Sequence, residues 1–518
     1  MILPTILVEN ARIHGRRHAI LDGDGRFTWA EFGARVARAA GVLRSLGLRR
    51  GDRFGLVMRN SFRQAELFWA GYWSGVVPVP VNWRLNPVEI ADILEDAECR
   101  LVAAEGEFMP ALDSPALSAW RGKVLRVEAS GGPKADYEDL LAGTAPVPVE
   151  PAAEDDDAVL LYTGGTTGRS KGVRLSHGNV LANAWQIGLV SGIRTSDVYS
   201  HVAPMFHSAD LHGTAAFMMG CSHVYVPQFT PAAAASGIER YRITTAHWVP
   251  TMIKMFTESE EASRHDLSSL RVLFYGSSPM PVEWVRSVCD LFPGVELYHC
   301  YGLTETSPLL TILDNASFRS SLESGNTSLL KSAGRPLPGV EMRILDDSGR
   351  SLPSGEAGEI VVRGPNVSKG YLKRDQETTR AFRDGWFHTG DVGYLDQDGY
   401  LFLVDRKKDM IITGGENVYS GEVEAVLYRH PGVSEAAVIG VPDERYGEAL
   451  FAVIVPKAGA TLTAGEIIEH CRAHIGGYKI PRRIALVDAL PRTAVGKVQK
   501  AVLRERYGAL RPNTPTER

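Results

Sequence analysis

The chain has 518 residues, of which 44% are hydrophobic and 23% charged, a composition typical of a soluble globular protein with more than one hydrophobic core. Lys and Arg total 56 and Asp and Glu total 61, so the net charge of −5 argues against a protein that coats nucleic acid. Five cysteines without a CxxC pair, and no apolar run of about 18 residues, argue against a disulfide framework, a zinc ribbon and a membrane span, and predict a cytoplasmic protein.

The N-terminal region predicts alternating helices and strands. Thr28 and Glu31 form a capping-box pattern before an apolar helical face, which indicates that a helix begins there. The next segments predict a strand, a helix and a second strand at Phe54–Met58, Phe62–Trp73 and Val76–Val81. Because this alternation is typical of parallel sheets covered by helices, we expect a large α/β N-terminal domain with mostly parallel sheets.

The most informative stretch is YTGGTTGRSKG at residues 162–172, which follows the apolar run Ala158–Leu161. A short apolar run before a Gly/Thr-rich turn predicts a strand that leads into a phosphate-binding loop. Glycines let backbone N–H groups approach an anion, while hydroxyls and Lys171 add donors and charge. The spacing is not that of a Walker A loop. The polar, Pro/Gly-rich segment Gly131–Asp157 predicts a linker before this loop, and Ser176 is placed to cap a helix after it.

The sequence pattern changes after Asp391. Short strands are predicted on either side of this point, at Glu359–Arg363 and Tyr400–Val404, and the charged cluster Asp405–Asp409 then interrupts the pattern. Beyond it, strands are predicted at Ala436–Val441 and Glu448–Val455, followed by a helix capped by Thr463 with Glu466. These later segments predict a small α+β unit of about a hundred residues. We place the boundary at Lys408, which divides the chain into an N-terminal domain, 1–407, and a C-terminal domain, 408–518.

Four strings in this order resemble the motifs of the adenylate-forming superfamily, which includes acyl-CoA synthetases, peptide-synthetase adenylation domains and beetle luciferases. They are the loop string, YGLTET at Tyr301–Thr306, GWFHTGD at Gly385–Asp391 with DRKKDMIITGGENVYSGEVE at Asp405–Glu424, and PRTAVGK at Pro491–Lys497. The resemblance implies that the enzyme uses ATP and Mg²⁺ to activate a carboxylic acid as an acyl-adenylate, releases pyrophosphate, and transfers the acyl group to a thiol.

The resemblance also implies roles for individual residues. Glu305, with Thr163, would hold Mg²⁺, and Thr304 would contact the α-phosphate. Asp391 and Arg406 would bind the ribose hydroxyls. The phosphate loop and the adenine slot supply the other nucleotide-binding positions: Gly164, Gly165, Thr166, Thr167, Gly168, Lys171, Gly276, Ser277, Ser278, Tyr301 and Gly302.

Two half-reactions are implied for the C-terminal domain. Lys497 would bond the α-phosphate and the acyl carboxylate during adenylation, and it would be withdrawn when the domain turns about a hinge at Lys408. The second orientation would present a thiol channel for coenzyme A. The candidates for this channel are Gly414, Gly415, Glu416, Tyr446, Lys479 and Arg482.

Structural alternatives stay open for several of these residues. Thr304 could be a helix cap, Asp391 a turn residue, and Tyr301 and Trp248 core aromatics. His201, His207 and His212 invite a metal-site interpretation, but their spacing matches no standard metal pattern. In PMFHSAD, His207 falls where members of the superfamily place an aromatic or imidazole group at the carboxylate end of the acyl pocket, so the resemblance implies that His207 lines the wall of that pocket. The predicted pocket positions are His207, Trp248, Ser277 and Ser278.

The pocket sequence favours one class of acid. The segments Phe206–Met219, Ala246–Ile253 and Gly276–Met280 contain no Lys or Arg, so a second substrate carboxylate would be buried without a partner. We therefore predict a CoA ligase for a hydrophobic monocarboxylic acid, either a medium-chain fatty acid or an aryl or arylalkenoic acid. The alternatives are an enzyme that loads a carrier-protein phosphopantetheine and a non-enzymatic nucleotide-binding module. A homodimer is left open as the assembly.

Overall fold

The computed structural model describes residues 1–23, 25–127, 136–163, 170–277, 280, 282–325, 327–406, 409–413, 416–443, 446–493 and 497–508. Packing divides the chain into two compact units. The first comprises Met1–Glu341 with Val362–Phe387, and the second comprises Met342–Val361 with His388–Arg518. The boundary predicted at Lys408 lies outside the described residues and stays a prediction.

The helix predicted to begin after Thr28 is confirmed and spans Trp29–Ser45. The backbone N–H of Glu31 donates to the Thr28 hydroxyl over 3.3 Å, and the Thr28 N–H donates to the Glu31 carboxylate over 2.8 Å. Both donors at this helix end are therefore satisfied locally, as a capping box requires. The apolar face of the helix packs into the core of the first unit through Val36 and Leu43.

A four-stranded sheet in the first unit is parallel throughout, as the alternation of strands and helices predicted. Its strands, in spatial order, are Val77–Pro80, Arg53–Val57, Cys99–Glu105 and Val124–Val127. The helices Phe62–Ser74 and Pro87–Asp96 connect the first three of these strands along the chain.

A nine-stranded sheet is the largest sheet among the described residues of the first unit. Its strands, in spatial order, are Arg335–Pro336, Thr311–Leu313, Glu296–Tyr301, Val272–Gly276, Thr245–Trp248, Val198–His201, Ser222–Tyr225, His18–Asp22 and Gly25–Thr28. The central strands are parallel, and the outer pairings at the two ends are antiparallel. Because the carboxyl ends of parallel strands lie at one edge, Trp248, Gly276 and Tyr301 are brought to the same edge of the sheet.

A two-stranded hairpin, Asp157–Thr163 with Lys171–Ser176, flanks the predicted phosphate loop. The next helix, His177–Val190, begins with the predicted Ser176 cap, whose hydroxyl accepts from the Asn179 N–H over 3.1 Å. The predicted linker before the hairpin is wrong in one part, because Asp136–Gly143 is a helix. Its Tyr137 is fully buried and donates its hydroxyl to Glu66, so packing stabilises a segment whose composition is that of a loop.

Further helices of the first unit cover and connect these sheets. They are Pro4–Ile13, Met109–Leu112, Gly213–Met218, Pro231–Tyr241, Pro250–Thr257, Glu261–Arg264, Val282–Leu291, Asn315–Ser324 and Asp375–Ala381. Across the part of the chain that the structure describes, no helix is both long enough and apolar enough to span a membrane.

The C-terminal region forms the predicted α+β arrangement. Its sheet contains, in spatial order, Glu416–Val418, Ile411–Thr413, Gly447–Pro456 and Val433–Asp443, with Arg483–Leu486 paired in parallel to Gly447–Pro456. The helices are Ser420–Leu427, Ala464–His474 and Lys500–Gly508, and the second begins with the predicted Thr463–Glu466 capping box. A further sheet contains the strands Glu341–Leu345, Gly358–Arg363, Trp386–Leu395, Phe382–Arg383 and Leu401–Arg406.

Candidate active site

The two ends of the predicted phosphate loop are neighbours. Thr163 ends one strand of the hairpin and pairs with Lys171, which begins the other. The ammonium nitrogen of Lys171 lies 5.3 Å from the ring centroid of Tyr371 and 4.0 Å from Oε1 of Glu377. The predicted loop residues Gly164, Gly165, Thr166, Thr167 and Gly168 lie outside the described residues.

Glu305 lies in a short 3₁₀ turn, Thr304–Thr306, after the strand that ends at Tyr301. Its side chain is buried, and the hydroxyl of Tyr371 donates to its Oε1 over 2.9 Å. Burial, followed by the nearby charge of Glu305, raises the pKa of Tyr371, so its hydroxyl stays protonated as a donor. Tyr371 therefore contacts both Glu305 and Lys171.

Tyr371 was not among the predicted site residues. It follows Gly370 in a segment that matches none of the four strings. In the structure this segment forms an antiparallel bridge with the hairpin, pairing Tyr371 with Val173. The residue is brought to the site by long-range pairing, for which the local sequence carries no signal.

Thr304 connects the Glu305 turn to the predicted acyl-pocket segment. Its hydroxyl donates to the Ser208 hydroxyl over 3.1 Å, and Ser208 is the residue after His207. The helix-cap alternative for Thr304 is wrong, because the turn begins after Leu303 and Thr306 accepts the Leu303 N–H over 3.0 Å. The hydroxyl of Thr304 instead connects two parts of the candidate site.

His207 begins the 3₁₀ turn Ser208–His212, and its Nδ1 accepts the Ala209 N–H over 3.2 Å. It also lines a cavity of about 40 Å³. The side chains around this cavity are mostly aromatic or aliphatic, and the charged residue among them is the acidic Asp210. The complete lining is Ala65, Phe68, Trp69, Tyr72, Leu161, His201, Met205, His207, Asp210, Leu211, Gly213, Thr214, Phe217 and Tyr225.

The other two histidines of the possible metal site have protein partners. Nδ1 of His201 is 2.7 Å from Asp210 Oδ1, and its Nε2 is 3.0 Å from Nδ1 of His223. Nδ1 of His212 is 3.2 Å from the hydroxyl of Tyr199. Burial lowers the pKa values of His212 and His223 far below the ordinary value, which keeps both rings neutral. Within the described ranges, no three His, Cys, Asp or Glu side chains are grouped as metal ligands.

The predicted adenine slot lies at the carboxyl ends of two paired strands, where Gly276 is opposite Cys300. A Cβ atom at Gly276 would lie 2.3 Å from the Cys300 carbonyl oxygen, and one at Gly302 would lie 2.0 Å from the Pro308 carbonyl oxygen. Neither position can accept a side chain without a backbone shift. Ser277 has a φ of +74°, the left-handed region that favours glycine, and Ser278 lies outside the described residues.

Tyr301 and Trp248 are both buried at this edge of the sheet. The indole of Trp248 is 2% exposed and lies 5.7 Å from the ring of Phe229 and 5.0 Å from that of Phe256. These contacts agree with a core role as well as with a pocket wall. Both interpretations of these two aromatics therefore stay open.

In the second unit, the strand register pairs Asp391 with Arg406. Asp391 is buried within the strand Trp386–Leu395, and its N–H donates to the Thr389 hydroxyl over 3.1 Å. The turn-residue alternative is therefore wrong. The two residues predicted to bind ribose are direct cross-strand neighbours, although 15 positions separate them along the sequence.

Two of the predicted coenzyme A residues contact each other in the structure, and a third is paired with a carboxylate. The guanidinium carbon of Arg482 lies 3.9 Å from the ring centroid of Tyr446. Lys479 donates instead to both carboxylate oxygens of Glu422, over 2.6 and 2.7 Å. Glu416 begins the strand Glu416–Val418, whereas the predicted hinge Lys408 and the predicted channel residues Gly414 and Gly415 lie outside the described residues.

The backbone of Lys497 contacts Thr493, another residue of the same motif. Its N–H donates to the Thr493 hydroxyl over 3.1 Å, and its carbonyl accepts the Thr493 N–H over 2.7 Å. An isolated antiparallel bridge pairs Arg492 with Val498. The backbone of this lysine is therefore held by contacts inside its own motif.

Comparison with known proteins identifies the family. Residues 7–372 match the family model described as AMP-binding enzyme, and residues 422–497 match that of the AMP-binding enzyme C-terminal domain. The chain therefore belongs to the AMP-binding enzyme family, and the predicted membership of the adenylate-forming superfamily is confirmed.

Individual relatives define the class further. A feruloyl-CoA synthase of Amycolatopsis sp is 38% identical over 97% of this chain and 98% of its own length. A long-chain-fatty-acid–CoA ligase of Mycobacterium tuberculosis is 34% identical over 98% of this chain and 99% of its own. The crystal structure of ATP-bound MatB from Rhodopseudomonas palustris superposes with a TM-score of 0.89 at 32% identity, covering 98% of this chain and 99% of that one. The predicted enzyme class, an AMP-forming acid–thiol ligase, and the predicted two-domain α/β fold are confirmed.

Proposed function

We propose that this chain is an AMP-forming CoA ligase for a hydrophobic aryl or arylalkenoic monocarboxylic acid. The observation that carries the proposal is the charge of the walls around His207. Asp210 is the charged residue among the lining side chains, and none of them is a Lys or Arg. A second substrate carboxylate beside these lining residues would meet the carboxylate of Asp210 and no lining Lys or Arg, which disfavours a diacid. The 38% identity to a feruloyl-CoA synthase supports an aromatic acid over an aliphatic one.

The first chemical step is attack of the substrate carboxylate on the α-phosphorus of ATP, with pyrophosphate as the leaving group. Negative charge then develops on the phosphates, and positioned cations and donors stabilise it. Lys171 and Thr163, which pair at the ends of the loop, would serve the β- and γ-phosphates. Thr304 would donate to the α-phosphate, and Asp391 with Arg406 would hold the ribose.

Glu305 fits the requirements of a magnesium ligand. Mg²⁺ prefers carboxylate oxygens, and the hydrogen bond that the Tyr371 hydroxyl donates to Glu305 orients this carboxylate. When bound, the ion would neutralise charge on the phosphates. Glu305 and Thr163 are therefore the residues that we propose for its site.

The second step is attack of the coenzyme A thiol on the acyl carbonyl, with AMP as the leaving group. We propose Lys497 for adenylation only, and a hinge at Lys408 between the domains 1–407 and 408–518. Tyr446 and Arg482, which stack on one another, are the stronger pair for coenzyme A, because the charge of Lys479 is already paired with Glu422. The homodimer and the cytoplasmic location stay predictions.

A panel of acids tests the substrate class. The purified protein is incubated with ATP, Mg²⁺, coenzyme A and, in turn, cinnamate, benzoate, octanoate, palmitate or malonate, and kcat/KM is measured for each. We expect the highest value for an aromatic acid and the lowest for malonate. A preference for malonate or palmitate would contradict the pocket argument. A parallel reaction with a phosphopantetheinylated carrier protein in place of coenzyme A separates the two acceptor hypotheses.

A further inference from the structure

A chain of polar contacts connects both flanks of the predicted phosphate loop to one distant carboxylate, Asp96. Tyr162 immediately precedes the loop residue Thr163, and its hydroxyl donates to Asp96 Oδ2 over 2.7 Å. The other oxygen of Asp96 accepts from Nη2 of Arg374 over 2.8 Å. Asp96 therefore joins the strand that enters the loop to a segment far along the chain.

The segment that contains Arg374 also approaches Lys171, which follows the loop. Nε of Arg374 lies 3.9 Å from Oε2 of Glu377, and Oε1 of Glu377 lies 4.0 Å from Nζ of Lys171. Tyr371, three residues before Arg374, lies beside Lys171 and donates to Glu305. Thus the segment Tyr371–Glu377 contacts Asp96, Lys171 and Glu305.

Two features of these contacts are unfavourable by themselves. Asp96 is the last residue of the helix Pro87–Asp96, where the negative end of the helix dipole disfavours a carboxylate. Lys373 has a φ of +52°, a left-handed conformation that is unfavourable for a residue with a side chain. This turn lets Lys373 donate to the Asp96 carbonyl over 2.9 Å while Arg374 pairs with its carboxylate. Locally unfavourable conformations that long-range contacts stabilise are typical of functional sites.

We infer that Asp96 is a positioning residue for ATP binding: through Tyr162 and Arg374 it holds the entry and the exit of the phosphate loop in register. The inference rests on the proposed function, because that function assigns the loop to the phosphates. Asp96 touches no reacting atom. Removal of the Asp96 carboxylate should weaken the binding of ATP and leave the binding of the acid and of the thiol unchanged.

The variant Asp96→Asn tests this role, since it keeps the size of the side chain and removes the charge. We expect KM for ATP and the equilibrium Kd for ATP with Mg²⁺ to rise about tenfold, a typical effect of losing a charged hydrogen-bond partner. KM for the acid should change less than twofold, and thioester formation from supplied acyl-adenylate should stay at the wild-type rate. Tyr162→Phe should raise KM for ATP in the same direction. The double variant should be no worse than Asp96→Asn alone, because the contacts act as one unit.

Asp52→Asn is the matched control. Asp52 also pairs with an arginine, Arg100, over 3.0 and 3.2 Å, but it contacts none of the loop residues described above. The Asp52→Asn substitution should leave KM for ATP unchanged. If Asp96→Asn does not fold, Tyr162→Phe and Arg374→Lys carry the test.

An unchanged Kd for ATP in these variants, or equal losses in the ATP, acid and thiol steps, would overturn the positioning role. Either result would leave the proposed function intact, because the wild-type protein would still form acyl-CoA. Conversely, a wild-type protein that binds ATP without forming acyl-CoA would contradict the proposed function. The ATP-binding comparison among the variants would still decide the role of Asp96.

Discussion

The hydroxyl of Tyr371 donates to Oε1 of Glu305 over 2.9 Å, and the face of its ring lies 5.3 Å from the ammonium of Lys171. A single aromatic side chain thus contacts the carboxylate proposed for Mg²⁺ and the lysine proposed for the phosphates. A hydrogen bond to the carboxylate fixes its orientation, and the ring face attracts the cation.

Tyr371→Phe should therefore impair adenylation without preventing folding. We expect kcat/KM for ATP to fall about tenfold and the Mg²⁺ concentration for half-maximal rate to rise, because the carboxylate loses its donor while the ring remains. The assay is acid-dependent pyrophosphate release at varied Mg²⁺. Tyr241→Phe is the control, since the Tyr241 hydroxyl contacts the Gly23 N–H over 3.0 Å and no predicted site residue. Equal effects of the two substitutions would contradict a role for Tyr371 in the site.

Glu305→Gln should raise the magnesium requirement further. A neutral amide is a poor ligand for a hard cation, so adenylation should slow at low Mg²⁺ and recover in part at high Mg²⁺. Titration of Mg²⁺ in the pyrophosphate-release assay measures this shift. A dependence like that of the wild type would place the metal elsewhere.

Lys497→Ala should abolish formation of the acyl-adenylate from ATP and the acid. Thioester formation from supplied acyl-adenylate and coenzyme A should be spared, because the proposed role of the lysine belongs to one half-reaction. The two half-reactions are measured separately as pyrophosphate release and thioester formation. A parallel loss of both rates would argue against two functional orientations of the C-terminal domain.

Lys408→Pro should give the opposite pattern. Proline fixes φ and should limit rotation at the proposed hinge, so that adenylation persists and thioester formation falls by at least about tenfold. The same pair of assays reports the result. Unchanged overall turnover would show that the chain pivots elsewhere.

The stability of the first unit should decrease below neutral pH. Burial lowers the pKa values of His177, His247 and His299 to about 4, from an ordinary value of 6.5. Between these values the unfolded chain binds protons that the folded chain does not. The contribution of each neutral ring is therefore complete above pH 6.5 and is lost as the pH falls toward 4, at up to about 1.4 kcal/mol per pH unit for each histidine.

Urea unfolding at pH 7, 6 and 5 measures this slope. His299→Asn is the matched variant, because an amide can retain the donor that Nδ1 supplies to the Ser332 carbonyl over 2.8 Å but does not titrate. In this variant, the pH dependence of the free energy of unfolding should decrease by the contribution of about one proton. Identical slopes for wild type and variant would show that His299 is protonated equally in both states.

Local sequence patterns predicted the parts of the fold that local interactions determine. The capping pairs at Thr28 and Thr463 fixed helix starts, because each box is completed within three residues. The linker prediction was wrong at Asp136–Gly143, where burial of Tyr137 against Glu66 outweighs a loop-like composition. That contact joins residues 71 positions apart, which no window of the sequence reveals.

In the candidate site, too, residues within local motifs were predicted and residues that depend on long-range contacts were not. Motifs named Lys171, Glu305 and Thr304 as candidates, since each lies within a recognisable string of residues. Tyr371 and Asp96 were missed, because each reaches the site through pairing between distant segments. The pairing of Asp391 with Arg406 also depends on strand register, although the motifs had already assigned both residues to one predicted ribose site.

Transfer of an oxygen atom tests the central claim most directly. The protein is incubated with ATP, Mg²⁺, coenzyme A and cinnamate labelled with ¹⁸O in its carboxyl group, and the products are analysed by mass spectrometry. An acyl-adenylate contains a bridging oxygen from the acid, so attack of the thiol on the carbonyl must leave one labelled oxygen in AMP. We predict acyl-CoA, unlabelled pyrophosphate and AMP with one ¹⁸O atom. Unlabelled AMP, or label in free phosphate together with ADP, would contradict activation through an acyl-adenylate.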